Sequence, residues 1–269
     1  MTAGAQPVRN ALRGFFTRPV TKLQRFFETT GAVTILTLRA ARSLVTTRFE
    51  MRAFVYQLEQ LGVRSLAIGM ATAIFVGIVM AIQFAFSLEK FGAKDSVGRI
   101  VGLSEVRELA PALTSLAVGG RIAAGMAAEI GSMAVTEQID AIRALGADPI
   151  RKLVVPRVLA AIVVMPLLTC FALVFGTASA MIVTNITFGI QMPFFISSAL
   201  DSITMQDFMS GLGKTPFFGF LIAILGCHFG MITRGGTEGV GQSTTTAVVV
   251  VSITILVADA LLTQVFLSL

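Results

Sequence analysis

Arg107 and Glu108 stand side by side, and Lys214 stands much further along, each at the edge of a long uncharged run. Neighbouring helical residues point about 100° apart, so Arg107 and Glu108 cannot simply neutralise one another. If the uncharged runs cross a membrane, at least one of the pair must face protein or an aqueous cavity, because a charge turned toward lipid is costly. Arginine and lysine are natural partners of phosphate, so these positions are candidates for holding an anionic group. They are equally readable as anchors that snorkel to the interface.

Gly213-Lys214-Thr215 imitates the end of a phosphate-binding loop, G-x-x-x-x-G-K-[ST]. That pattern needs a glycine at 208, where this chain has Phe208, and a preceding strand, where this chain opens an apolar run. No nucleotide site is expected in this chain, and no cofactor or metal.

A second candidate lies between Ala128 and Ala160. Val135, Ile139, Ile142 and Leu145 follow at spacings of four, three and three, the pattern of one helix face. Glu137 and Asp140 precede Arg143, an order that suits the helix dipole, and Gly146 and Pro149 then end the helix. A short amphipathic helix of this kind, about 130–147, could dock onto a partner or rest on lipid.

The elements that carry these residues follow from where charge is missing. The chain has 269 residues, 55% hydrophobic and only 13% charged, with a mean hydropathy of +0.83. Soluble domains carry about 25% charged residues. Uncharged runs of 24, 43, 19 and 20 residues begin at Ser65, Val158, Thr215 and Gly239. About 20 apolar residues cross a bilayer, and in lipid such a run must be helical to satisfy its own amides. Leu109–Ala128 adds a fifth run, interrupted by Arg121. The fold expected is therefore an all-α integral membrane protein. Amino-terminal interfacial helices over 1–64 lead into a five-span domain over 65–269, with spans near 65–88, 109–128, 158–185, 215–233 and 242–267.

Basic residues orient the spans. With the amino terminus in the cytoplasm, sixteen of the twenty-one Lys and Arg residues fall on or near the cytoplasmic side. Lys90, Lys94, Arg99, Arg107 and Lys214 fall outside, and an odd number of spans puts the carboxyl terminus outside too. The net charge of +6 is spread in this way rather than gathered into a patch, so no nucleic-acid partner is expected. Before the first span, Phe54, Leu58 and Leu61 recur at helical spacing, and Phe15, Phe16, Phe26 and Phe27 sit among basic residues. This is the composition of helices lying on an anionic leaflet. Cys170 and Cys227 both fall inside spans and read as buried apolar residues. Gly119, Gly120, Ala123, Ala124 and Ala127 allow close helix approach, within the chain or between copies. His228 lies mid-span and reads as a residue hydrogen-bonded to a neighbouring helix.

The run from Leu103 through Leu168, LSEVRELAPALTSLAVGGRIAAGMAAEIGSMAVTEQIDAIRALGADPIRKLVVPRVLAAIVVMPLL, resembles the MlaE/YrbE-like permease family. GGTEGVGQSTTTAVVV, from Gly235 to Val250, is similar to the family's GGAEGVG-type motif, and the likeness extends from about Lys22 to the end. The resemblance implies an ABC-type permease homodimer in the bacterial inner membrane, moving phospholipid between inner and outer membranes and maintaining outer-membrane asymmetry. It implies as partners a cytoplasmic ATPase that uses the ATP, a STAS-domain protein bound to that ATPase, and an MCE-domain hexamer outside. By the same resemblance Arg107, Glu108 and Lys214 line or border the lipid pocket, with Phe91, Met80 and Gln83 as its wall. Glu129, Val135, Glu137, Ile139, Asp140, Ile142, Arg143 and Leu145 become the ATPase-coupling set. The chain departs from the family at Gln242 and Thr246, where members often carry arginine, so the resemblance assigns those two positions no role. A stand-alone secondary transporter or channel is the alternative. That class usually shows inverted repeats or intramembrane acids, and only Asp259 lies inside the last span, near its outer end.

Overall fold

The computed structural model describes residues 27–43 and 50–268. Phe15, Phe16, Phe26, Arg48 and Leu269 lie outside the described residues, as does the rest of the basic amino-terminal stretch before residue 27. Within the described residues the regular elements are helices and no strand occurs. We number them α1 (27–43), α2 (Met51–Lys90), α3 (Lys94–Val135), α4 (Gln138–Ala144), α5 (Ile150–Phe188), α6 (Met192–Ser202), α7 (Met205–Met231) and α8 (Gly236–Ser268). Five of these, α2, α3, α5, α7 and α8, are long and apolar enough to cross a membrane.

Each spanning helix starts earlier than its uncharged run. The largest difference is in α3, which begins at Lys94 rather than near Leu109. A charge-free run marks the part that needs lipid, whereas the helix continues wherever neighbours cover it. Here α6 supplies the cover. A Cβ on Gly98 would collide with the Phe195 carbonyl, so α3 and α6 approach backbone to backbone. Arg107 and Glu108 are consequently interior to a helix and not at its start.

Within α3, residues Glu105–Leu113 form a π-helical segment containing Pro111. Proline lacks an N–H and its ring crowds the preceding turn, so the ladder is locally widened. After Val135 the chain breaks at Glu137, a non-glycine residue in the left-handed region with φ of 59°. Residues 130–135 therefore belong to α3, and the expected helix over 130–147 is reduced to α4. Gly146, with φ of 75°, makes the second break, where left-handed backbone favours glycine.

Helices in lipid gain little from hydrophobic burial against one another and associate through close packing. Gly119 of α3 packs on Ile222 of α7, Gly226 of α7 on Ala123, and Gly230 of α7 on Ile130. The small residues Gly119, Ala123 and Ala127 are thus used inside the chain. A large apolar cluster joins α3, α5, α7 and α8 and takes in Leu36 and Ala40 of α1 and Ile139 of α4. A smaller one joins α2, α3, α5 and α6 around Phe195. The bundle accordingly has two unlike ends: one with α6, the start of α7 and the end of α8, the other with α1 and α4.

Candidate functional site

The α6 end carries a network of charges. A capping box starts α7: Thr204 Oγ1 accepts from the Asp207 amide at 3.2 Å, and Asp207 Oδ2 accepts from the Thr204 amide at 2.9 Å and its hydroxyl at 2.7 Å. That cap fixes the Asp207 carboxylate, whose Oδ1 receives Arg107 Nε at 2.6 Å and is also bonded by Arg107 Nη2. Two turns further along α7, Lys214 Nζ donates to Glu108 Oε1 at 2.8 Å and to Thr263 Oγ1 of α8 at 2.6 Å. It also reaches Asp259 Oδ1 at 3.4 Å and the Arg107 carbonyl at 3.3 Å. The Lys214 side chain is only 2% exposed.

Backbone proximity makes this possible. A Cβ on Gly211 would run into the Val106 carbonyl, so α7 lies directly on the π segment. Adjacent Arg107 and Glu108 thereby find separate partners on α7, one at Asp207 and one at Lys214. A cavity of about 350 Å³ opens beside them, lined by Arg107, Glu108, Asp207, Lys214, Thr263 and Phe266 among others. Two cations and two carboxylates line it, and Asp259 stands behind Lys214 outside the lining, so the cluster holds one carboxylate more than it has cations. Both candidate cations, Arg107 and Lys214, are paired with carboxylates.

The match to the permease MlaE family profile covers residues 54–265. The chain belongs to the MlaE permease family. A protein of Synechocystis named a probable ABC transporter permease is 39% identical over 237 residues, 88% of this chain and 90% of that one. Another of that name from Rickettsia felis is 36% identical over 242 residues, 90% of this chain and 93% of that one. The Arabidopsis chloroplast protein TRIGALACTOSYLDIACYLGLYCEROL 1 is 36% identical over 235 residues, 87% of this chain and 67% of that protein. This MlaE-family permease is a multi-pass membrane protein and a component of a transporter.

The remaining candidate positions of the permease are scattered. Phe91 follows the last residue of α2 and is 82% exposed, Gln83 is exposed and Met80 half-buried, and none of the three lines the charged cavity. That cavity is lined by Arg107 and Glu108 of α3 together with residues of α7 and α8 and Thr204, which caps α7. Asp207 and Thr263 were not anticipated. Asp207 carried a local signal, Thr-x-x-Asp before an apolar run, which marks a cap but not its partner. A further acid of α3, Glu105, is buried and accepts Thr177 Oγ1 of α5 at 3.0 Å, with Gly176 leaving room for its carboxylate.

At the α4 end the expected stripe does not form one free face. Val135 is the last residue of α3 and half-buried, and the break at Glu137 separates it from α4. Ile139 is 5% exposed and sits in the permease's own core, with Ile142 packed against it. Glu129 pairs with Arg157 of α5 at 2.7 Å, tying α3 to α5. What remains outward are Glu137, the pair Asp140–Arg143 at 2.8 Å, and Leu145, 86% exposed. Gln242 and Thr246 lie exposed in the first turns of α8, the Thr246 hydroxyl donating to the Gln242 carbonyl.

Proposed function

We propose that this permease is the membrane-spanning subunit of an ATP-driven phospholipid transporter, working as two copies with a separate ATPase in the bacterial inner membrane. The observation that carries the reading is the charged cavity held between α3, α7 and α8 at the end of the bundle away from α4. The printed names of the Synechocystis and Rickettsia relatives support the ABC class, and the lipid in the Arabidopsis protein's name supports a lipid substrate. Phospholipid exchange that keeps the outer membrane asymmetric, a STAS-domain protein on the ATPase and an MCE-domain hexamer outside complete the proposal. The amino terminus is cytoplasmic and the carboxyl terminus periplasmic. Nucleotide is hydrolysed by the partner, and this chain binds no cofactor of its own.

The network gives the site a mechanism. A phosphate cannot enter a cluster that already holds an excess carboxylate unless a carboxylate gives way. Asp259 is the one to move, because its 3.4 Å contact with Lys214 is the longest of that lysine's links to an acid. A headgroup phosphate taking its place would bridge Lys214 on α7 to Arg107 on α3 and loosen α8. Binding and helix movement are then one event.

Pull-down of the intact permease in mild detergent should recover an ATPase and bound phospholipid, with ATP hydrolysis only when the partner is present. Photo-crosslinking of lipid to the assembled complex then tests the cavity. Arg107→Gln should lower lipid capture about tenfold, the cost of one charge-assisted hydrogen bond. Asp259→Asn should raise it, because it releases Lys214. Transport by the chain alone, or equal capture by all three proteins, would sink the reading.

A further inference from the structure

A second cavity, of about 500 Å³, lies between α1 and the segment leading from α4 into α5. It shares no lining residue with the charged cavity at the other end. Four cationic side chains, Arg39, Arg42, Arg151 and Lys152, line it against one carboxylate, Asp148. Asp148 Oδ1 already accepts the Ile150 amide at 2.9 Å, closing the turn into α5. Arg39 and Arg42 are three residues apart on α1 and share a face. Arg151 and Lys152 come from the first turn of α5, so two elements converge their charge on one space.

The neighbouring surface narrows what the charge is for. α1 buries Leu36 and Ala40 in the core of the bundle while leaving Ile35 and Leu38 exposed. An exposed apolar edge beside a basic pocket is how an amphipathic helix meets a phospholipid, chains on the edge and phosphate on the cations. A soluble acidic protein would match the charge but would leave Ile35 and Leu38 unexplained.

We propose that this cavity binds the phosphate of an anionic phospholipid, held by Arg39, Arg42, Arg151 and Lys152, with its chains along Ile35 and Leu38. The recognised chemistry is a phosphate oxyanion, and the lipid occupies the leaflet at the α4 end. Its headgroup ties α1 to the segment that follows α4. The inference needs the membrane setting alone and does not depend on what the permease transports.

The test uses the full-length permease in detergent micelles carrying equal amounts of phosphatidylglycerol and phosphatidylcholine, with retained lipid read by native mass spectrometry. The wild type should retain phosphatidylglycerol in preference. Arg39→Gln with Lys152→Gln should cut that preference about twentyfold, and Arg39→Lys with Lys152→Arg should keep it. Lys152→Gln alone, at an exposed position, should cut it about fivefold and serves if the double variant does not fold. A second arm adds inorganic phosphate. Saturable phosphate binding that is lost in the same variants, without any lipid preference, makes the site one for a soluble oxyanion and overturns the lipid as its occupant. No preference in either arm, or an equal preference in wild type and glutamine variants, overturns the proposal. So does a glutamine variant that keeps its lipid preference but loses a co-purified ATPase, because the face is then a protein dock.

Discussion

The two ends of the bundle use their side chains in opposite ways. At the α6 end, ionisable groups from α3 and α8 converge on the buried Asp207 and Lys214 of α7 and pair with them. At the α4 end Ile139 turns inward into the core, while Asp140, Arg143 and Leu145 stay outside. Buried polar groups are held by geometry and fail when one partner is lost, whereas exposed charges cost little to change. The α6 end therefore suits a site whose binding must move helices, and the α4 end a surface that can be engaged without disturbing the bundle.

The comparison breaks most visibly at Lys214. Lys214→Met leaves Glu108, Asp259 and Thr263 around a space with no cation, and should destabilise the permease by about 3–5 kcal/mol. Equilibrium unfolding in mixed micelles measures it. Adding Glu108→Gln should recover part of the loss, because residues sharing one network are not additive. A loss below about 1 kcal/mol would mean that water replaces the lysine and that the cluster is not tightly held.

Next comes Ile139. Ile139→Ala should cost about 2–4 kcal/mol, the penalty of a buried methyl cavity, in the same unfolding assay. Gly211→Ala should cost about 1–3 kcal/mol, since its methyl group must push α7 off the Val106 carbonyl. That displacement would also separate Arg107 from Asp207, so Gly211→Ala should reduce lipid crosslinking while leaving the α4 end intact.

Why the sequence showed some of this and not the rest follows from particular residues. The spans were legible because lipid tolerates so little charge that its absence is a signal by itself. Their true starts were not, since coverage by α6 lets Lys94 and Arg99 remain helical where an isolated span would have stopped. The π segment around Pro111 shifts the helical period on which side-chain direction is read. Arg107 and Asp207 are a hundred residues apart, and no local pattern joins them. The stripe at the α4 end reads in sequence as one helix face, but the break at Glu137 leaves Val135 on α3 and Leu145 falls past the end of α4; for Ile139, an apolar position reports that something covers it and not what. Here the cover for Ile139 is the permease itself.

The smallest effect on stability, and the sharpest separation of the two ends, is expected at Leu145 and Arg143. Leu145 projects beyond the turn at Gly146 and touches little of its own chain, so Leu145→Ser should change unfolding by no more than about 0.5 kcal/mol. Arg143→Ala removes an exposed pair with Asp140 three residues away, for about 0.3–0.5 kcal/mol. If the outward part of α4 is where an ATPase docks, both variants should nevertheless weaken co-purification of the partner, Leu145→Ser the more because an exposed leucine is a natural anchor for a partner's pocket. Ile139→Ala offers the control. It should lower stability first and lose the partner only as the bundle loosens, so mild stabilising lipid should restore its co-purification but not that of Leu145→Ser. Equal rescue of both would place the docking surface away from α4 altogether.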